Sequence, residues 1–246
     1  MEVQGATALV TGAGGGIGQH LVALLLERGA RRVYAADLAG KNIARIDVRV
    51  TPITLDITDE AAVAEAARAA PDVQLLINNA GVNLRAPFIG SPSMDSARRE
   101  IETNYLGTLA MCRTFAPILA GYRETGGSAI VNVASILGKV TLPNLGSYCA
   151  SKAALLRLSE GVRAELAAQR TRVVLVLPWA VDTAMSGPFP GEKTPPAEVA
   201  RRTLDAVDAG NDEVLIHQYS LELERRLRED PKRLERELAA TFRSAP

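Results

Sequence analysis

Tyr148 and Lys152 stand four residues apart in the run Ser147-Tyr-Cys-Ala-Ser-Lys152. On a helix that spacing stacks both side chains on one face. A free tyrosine has a pKa of roughly 10, too high for an efficient base at neutral pH. An ammonium beside it favours the phenolate and lowers that value. The pair is therefore suited to giving a proton to an oxygen and taking it back. Ser135 closes a β-rich run that ends Val133-Ala134-Ser135. A hydroxyl at the C-terminal end of a parallel strand faces the crevice where ligands bind; capping a turn is the competing use of the same group.

A second chemistry is carried by Thr11-Gly12-Ala13-Gly14-Gly15-Gly16-Ile17-Gly18, which follows an apolar β-rich stretch and opens a helical pattern. Glycines let the backbone turn and come close to a ligand. The helix N-terminus behind them offers free N–H groups and partial positive charge to a pyrophosphate. The spacing is Gly-x-x-x-Gly-x-Gly over Gly12, Gly16 and Gly18. It departs from the Gly-x-Gly-x-x-Gly fingerprint of dinucleotide sites, and a purely structural strand-to-helix turn would use the same residues. Asp37 ends the second β-rich stretch. A carboxylate there accepts bonds from ribose hydroxyls and repels a 2′-phosphate. Neither Leu38 nor Gly15 supplies an offsetting positive charge, so NAD(H) is expected in preference to NADP(H).

The elements that must position these groups alternate along the chain. Short apolar runs, rich in Val, Ile and Leu, occur at Thr7–Thr11, Arg32–Ala36, Thr51–Leu55, Val73–Ile77, Ala129–Val133, Arg172–Leu177 and Glu213–Ile216. They look like strands of a parallel sheet covered on both faces. Helical patterns lie between them at Ile17–Arg28, Glu60–Ala69, Asp95–Leu119, Ser147–Ala168 and Pro196–Ala209. This alternation predicts a doubly wound α/β fold. After Ile216 the chain becomes charge-rich and helical over Ser220–Asp230 and Pro231–Arg243, with Leu223, Leu227, Leu234 and Leu238 as an apolar stripe. The stripe serves either packing on the domain or a subunit contact.

In this order the motifs resemble the short-chain dehydrogenase/reductase family of NAD(P)-binding Rossmann-fold oxidoreductases. The matching residues are Thr11 to Gly18, Asp56, Asn78-Asn79-Ala80-Gly81, Asn104, Ser135, Tyr148-Cys-Ala-Ser-Lys152, Pro178 and Thr183, and the similarity runs from about Gly5 to Ile216. The resemblance implies a single Rossmann-type domain over residues 1–246, with a seven-stranded, mostly parallel sheet and a helical extension at 218–246. It implies a hydride transfer between nicotinamide and a secondary alcohol or ketone, without a metal. Tyr148 would be the acid/base, and Ser135 would hydrogen-bond the reacting oxygen. Lys152 would lower the tyrosine pKa and bind the ribose, and Asn104 would hold a relay water. Gly12, Gly14, Gly16, Ile17 and Gly18 would cradle the pyrophosphate, and Asp37 and Leu38 would meet the adenosine ribose. Asp56 by its side chain and Ile57 by its backbone would meet adenine. Asn78, Ala80 and Gly81 would line the ribose and phosphate path, with Pro178, Val181 and Thr183 at the nicotinamide end.

The chain departs from the family pattern at Pro178-Trp179, where Pro-Gly is usual. Trp179 either lines the substrate pocket or packs as core. The stretch Ala184–Thr194 is short for a lid, so closure is expected from Trp179, Met185 and Phe189 with little moving helix. Ile136, Leu137, Val140, Leu142, Trp179 and Met185 are the candidate pocket residues; being mostly apolar they favour a hydrophobic substrate, and ordinary loop packing is the alternative. Two other classes compete with the enzyme: a non-catalytic NAD sensor or regulator of the same fold, and an NADP-dependent biosynthetic ketoreductase. Keeping Asn104, Ser135, Tyr148 and Lys152 together argues against the first, and Asp37 against the second.

Bulk composition narrows the partners. Lys+Arg and Asp+Glu both number 28, and that zero balance offers no broad surface for nucleic acid or anionic membrane. The two cysteines, Cys112 and Cys149, make no disulfide framework and no metal-ligand spacing. Free thiols, no long apolar run and no leader-like N-terminus lead to the expectation of a cytoplasmic protein. A homodimer built on the helices at Asp95–Leu119 and Ser147–Ala168 is favoured over a homotetramer.

Overall fold

The computed structural model describes residues 1–38, 47–187 and 191–243. Seven strands form one sheet: β1 (Thr7–Thr11), β2 (Arg32–Asp37), β3 (Val50–Thr54), β4 (Leu75–Asn78), β5 (Ser128–Val133), β6 (Thr171–Pro178) and β7 (Glu213–Ile216), in the order β3-β2-β1-β4-β5-β6-β7. All six pairings are parallel, so the expected "mostly parallel" sheet is fully parallel. The chain winds outward from β1 through β2 to β3, then returns to place β4 on the other side of β1. That reversal opens a crevice at the C-terminal ends of β1 and β4, where open parallel sheets bind ligands.

The helices are α1 (Gly16–Glu27), α2 (Glu60–Ala69), α3 (Asp95–Ile101), α4 (Thr108–Ala120), α5 (Gly146–Leu166), α6 (Pro196–Ala209), α7 (Gln218–Glu229) and α8 (Pro231–Arg243). The period-2 alternation of the strands sends neighbouring residues to opposite faces. Ala8 and Val10 of β1 pack with Leu21 and Leu25 of α1 and Val199 and Leu204 of α6. Leu9 between them packs with Val63 of α2, Phe115 and Leu119 of α4 and Val162 of α5. Both faces are therefore covered, which is why the central strands are mostly apolar. Each fully buried Leu or Phe contributes roughly 1.5–3 kcal/mol of transfer free energy.

One helix differs from the expected elements. The single helix foreseen over Asp95–Leu119 is divided by a π-helical turn at Glu102–Gly107. Such a turn is a single-turn bulge within an otherwise α-helical run. At its end Gly107 lies against Ile57, where a Cβ would stand 2.8 Å from Ile57 Cγ1. The C-terminal stripe takes the first of its two expected uses, packing on its own domain. Leu223, Leu234 and Leu238 are buried against Ile136, Leu137 and Val140, with Leu227 at the margin, so α7 and α8 close over the β5–α5 connection of their own chain.

Candidate active site

The glycine turn crosses the crevice between β1 and β4, and it is braced from the far side. Thr11 Oγ1 accepts the N–H groups of Asn79 and Ala80, both at 3.0 Å. Asn79 Nδ2 donates back to the carbonyls of Thr11 (3.0 Å) and Gly12 (3.1 Å). Gly12 adopts φ +63°, and a Cβ there would press on Ala80 Cα at 3.0 Å. Side chains are thus excluded by backbone shape and by neighbours. No side chain caps the start of α1, whose preceding residue is Gly15. The first-turn N–H groups therefore point into the crevice with nothing from the protein bound to them from a cap. Gly14 lies in this turn, and Ile17 and Gly18 lie in the first turn of α1. Asn79 was part of the sequence motif, yet its bracing role depends on the pairing of β1 with β4 and is invisible locally.

Asp37 stands at the end of β2 beside this turn. Its Oδ2 accepts the Gly14 N–H at 2.7 Å and its Oδ1 accepts the Leu38 N–H at 2.8 Å. Leu38 is exposed, as is Asp56. Asp56 Oδ1 accepts from the N–H and hydroxyl of Thr58 at 2.9 and 2.7 Å, a local turn that keeps the carboxylate in place. Ile57 is buried under Gly107. The Asn78 side chain points away from the crevice: its Nδ2 donates to Asn132 Oδ1 at 2.9 Å and meets Cys112 Sγ. Its Oδ1 is buried without a hydrogen bond among the described residues. Only its backbone is left for the path on which the sequence placed it.

Ser135, Tyr148 and Lys152 are all buried. The Ser135 hydroxyl donates to Pro178 O at 3.3 Å and accepts the Leu137 N–H at 3.1 Å. Lys152 Nζ lies 5.7 Å from the centroid of the Tyr148 ring and donates to Val133 O at 3.0 Å. Removal from water pushes Lys152 down to about 8. Burial also lifts the Tyr148 phenol well above its ordinary value, and the Glu100 carboxylate lifts it further, while the Ser135 hydroxyl pulls the other way. Among the influences on the phenol, removal from water is the largest. The phenol is a proton donor at neutral pH.

Asn104 is fully buried in the π turn. It exchanges two bonds with Val82, accepting the N–H at 2.8 Å and donating to the carbonyl at 2.9 Å, and it donates to Ser151 Oγ at 2.9 Å. Gly81 sits between Asn104 and Lys152, since a Cβ on it would stand 3.0 Å from Asn104 Oδ1 and 3.5 Å from Lys152 Nζ. The Asn104 side chain thus holds the Val82 loop to α5 beside Lys152.

Beyond β6, Pro178 O binds Ser135 and Trp179 stacks on Tyr219 of α7, ring centroids 4.6 Å apart and tilted by 55°. Val181 bridges to Thr194, and Thr183 comes to the glycine turn: a Cβ on Gly16 would lie 2.5 Å from Thr183 Cγ2. The tryptophan therefore leaves the following segment at the crevice. Of the pocket candidates, Ile136, Leu137 and Val140 are packed under α7 and α8, Leu142 and Trp179 are half-buried, and Met185 is exposed. The first three share their cluster with Tyr148, Leu142 and Trp179. Phe189 lies outside the described residues. Lys139 is paired with Glu213 (2.7 Å) and Glu224 (3.0 Å), whereas Arg85 reaches Met185 O at 3.4 Å. Among the described residues no cluster of His, Cys, Asp and Glu could hold a metal, and no helix is long and apolar enough to cross a membrane.

Known proteins share this arrangement. The sequence profile described as short chain dehydrogenase matches residues 6–193. A short-chain dehydrogenase from Burkholderia cenocepacia, solved in complex with NADP, is 43% identical with a TM-score of 0.92, covering 100% of both chains. A short-chain dehydrogenase/reductase from Burkholderia phymatum in complex with NAD is 26% identical, with a TM-score of 0.84 over 94% of this chain and 96% of that one. The NADP-dependent 3-hydroxy acid dehydrogenase of Schizosaccharomyces pombe is 32% identical over 75% of each chain. With the family profile matching most of the chain and the fold superposing closely on solved members, the chain belongs to the short-chain dehydrogenase/reductase family of NAD(P)-binding Rossmann-fold oxidoreductases.

Proposed function

We propose that this chain, with residues 1–246 as one catalytic unit, interconverts a secondary alcohol and a ketone with NAD(H). The observation that carries the reading is the meeting of Ser135, Tyr148 and Lys152 beside a glycine turn whose helix start has no side-chain cap. The residues present fit a dinucleotide, because the glycine turn leads into a helix start that no side chain caps, leaving backbone N–H groups for a pyrophosphate. The bound nicotinamide supplies or accepts the hydride. Gly12, Gly14, Gly16, Ile17 and Gly18 hold the pyrophosphate end, with Asp37 and Leu38 at the adenosine ribose and Asp56 and Ile57 at the adenine. Ala80, Gly81 and the Asn78 backbone line the path onward, and Pro178, Val181 and Thr183 take the nicotinamide end.

Tyr148 gives its proton to the carbonyl oxygen during reduction and recovers it during oxidation. Ser135 donates to the same oxygen once its bond to Pro178 O is exchanged for the substrate. Lys152 holds the ribose and returns the proton to Tyr148. Asn104 fixes the loop at Val82 against α5 and holds a water in the proton relay to Lys152. The half-buried Trp179 and Leu142, with the exposed Met185, give the substrate an apolar edge, which supports a hydrophobic alcohol or ketone. Buried free thiols at Cys112 and Cys149 suit a reducing, cytoplasmic setting, and a homodimer or homotetramer is proposed for the assembly.

NAD(H) is supported by the Asp37 carboxylate at the ribose end, which a 2′-phosphate would meet directly. The second reading, an NADP(H)-dependent reductase, is favoured by the cofactor in the Burkholderia cenocepacia structure and by the name of the yeast relative. Absorbance assays with a panel of aliphatic, aryl and cyclic ketones and alcohols, run with both cofactors, decide between them. Turnover with NADP(H) alone would overturn the NAD(H) assignment. Tight dinucleotide binding with no turnover of any carbonyl would replace the enzyme with a sensor.

A further inference from the structure

Two polar side chains are fully buried where α3 runs into the π turn, Glu100 and Asn104, four residues apart. Asn104 ties Val82 to Ser151 on α5. Glu100 repeats the pattern one step earlier: its Oε1 accepts the Leu84 N–H at 2.7 Å and its Oε2 accepts the Ser147 hydroxyl at 2.5 Å. The attachment points are two residues apart on the loop and four apart on the helix, and Tyr148 lies between the two serines. Ser147 also reaches Ala86 O from its hydroxyl at 3.4 Å and its N–H at 3.5 Å.

We propose that Glu100 is a positioning residue for Tyr148, a buried carboxylate that clamps the loop after β4 to the first turn of α5 and so sets where the phenol stands. Burying a carboxylate is unfavourable unless its oxygens accept bonds, and an apolar residue would fill the space without that penalty. Here both oxygens are engaged, and both bonds go to segments that border the acid/base. The charge acts on the phenol too, raising it alongside burial and Cys149. The titratable and charged groups facing Tyr148 are Lys152 and Cys149 on its own helix, Glu100 on α3 and Tyr219 on α7; the α7 carboxylate Glu224 is paired with Lys139. The inference rests on the acid/base role proposed for Tyr148.

Kinetics of the full chain test it. Glu100→Gln keeps an acceptor for Leu84 and presents an amide to the Ser147 oxygen, so only the charge is lost. Its kcat is expected to stay close to the parent's while the acidic limb of the alcohol-oxidation profile moves to lower pH. Glu100→Ala and Ser147→Ala release the clamp, and kcat is expected to fall about tenfold or more with the cofactor KM little changed. An unmoved limb in Glu100→Gln, or full kcat in the folded alanine variants, overturns the proposal. If Glu100→Ala fails to fold, Ser147→Ala and Glu100→Gln decide. A parent chain that turns over no carbonyl sinks the enzyme reading and leaves the clamp to be judged by NMR. The Tyr148 ring resonance, assigned against Tyr148→Phe, is then expected to be displaced in Ser147→Ala, and an undisplaced resonance overturns the clamp.

Discussion

The Asp37 carboxylate accepts the Gly14 N–H at 2.7 Å, so the residue proposed to meet the adenosine ribose also holds the glycine turn in shape. Asp37→Asn removes the charge and keeps an acceptor for Gly14. Its KM for NADP(H) is expected to fall about tenfold, since the loss of a like charge near the 2′-phosphate is worth on the order of 1–2 kcal/mol at close range. Asp37→Ala also loses the brace, and its KM for both cofactors is expected to rise. Initial rates with the two cofactors check this. An unchanged preference in Asp37→Asn would remove Asp37 from the selection.

Tyr148→Phe deletes one hydroxyl from a buried ring. Turnover is expected to drop by about a hundred- to ten-thousand-fold, the range supplied by general acid/base catalysis. NADH binding, followed by fluorescence, is expected to change less than twofold. Because burial keeps the phenol protonated at neutral pH, ketone reduction should be nearly level there while alcohol oxidation climbs with pH. Retained turnover in the phenylalanine variant would assign the proton to another group.

Lys152 links the site to stability. Burial holds it down to about 8 in the folded chain, against roughly 10.4 in an unfolded one. Between those values the unfolded chain binds a proton that the folded chain lacks, so stability rises with pH across that window. The contribution is on the order of 3 kcal/mol when fully expressed. Unfolding in urea at a series of pH values should show the parent gaining on Lys152→Met from about pH 8 to pH 10. A constant difference between the two would mean that Lys152 is hydrated.

Leu234 of α8 is buried against the β5–α5 connection. Leu234→Ala is expected to cost about 2–5 kcal/mol in urea unfolding, as for other large-to-small changes in a core. It should also raise the KM for the carbonyl substrate, because Trp179 and Tyr219 belong to the same packed cluster. A loss below about 1 kcal/mol would show that the cluster collapses around the gap.

Much of this architecture is written locally. Each strand stretch is apolar on both faces, and the observed strands fall within two residues of the stretches that signalled them. Pro196–Ala209 and Pro231–Arg243 match because proline opens each helix at a position where its missing N–H is harmless. The Tyr148 and Lys152 pair is legible because both residues sit on one helix. What escaped notice depends on partners distant in sequence. Asn79 acquires its role only when β4 pairs with β1. Glu100, in the charged run Asp-Ser-Ala-Arg-Arg-Glu, looks like surface until Leu84 and Ser147 close on it. Trp179 meets Tyr219 across the whole of α6 and β7. The height of the Tyr148 phenol follows from burial, which spacing does not report.

The amides of Asn78 and Asn132 lie side by side as register partners of β4 and β5, and Asn132 passes the bond on to Ser159 of α5 at 2.9 Å. Strands that are apolar on both faces carry little information about alignment, because a slip by one residue exchanges one greasy surface for another. The two amides break that degeneracy. Any slipped pairing would leave both in hydrocarbon without each other, at about 1–3 kcal/mol apiece. Two polar residues at the centre of the sheet thus act as an index mark, selecting among alignments that hydrophobicity would treat as equals and bringing Asn79 into line with the glycine turn.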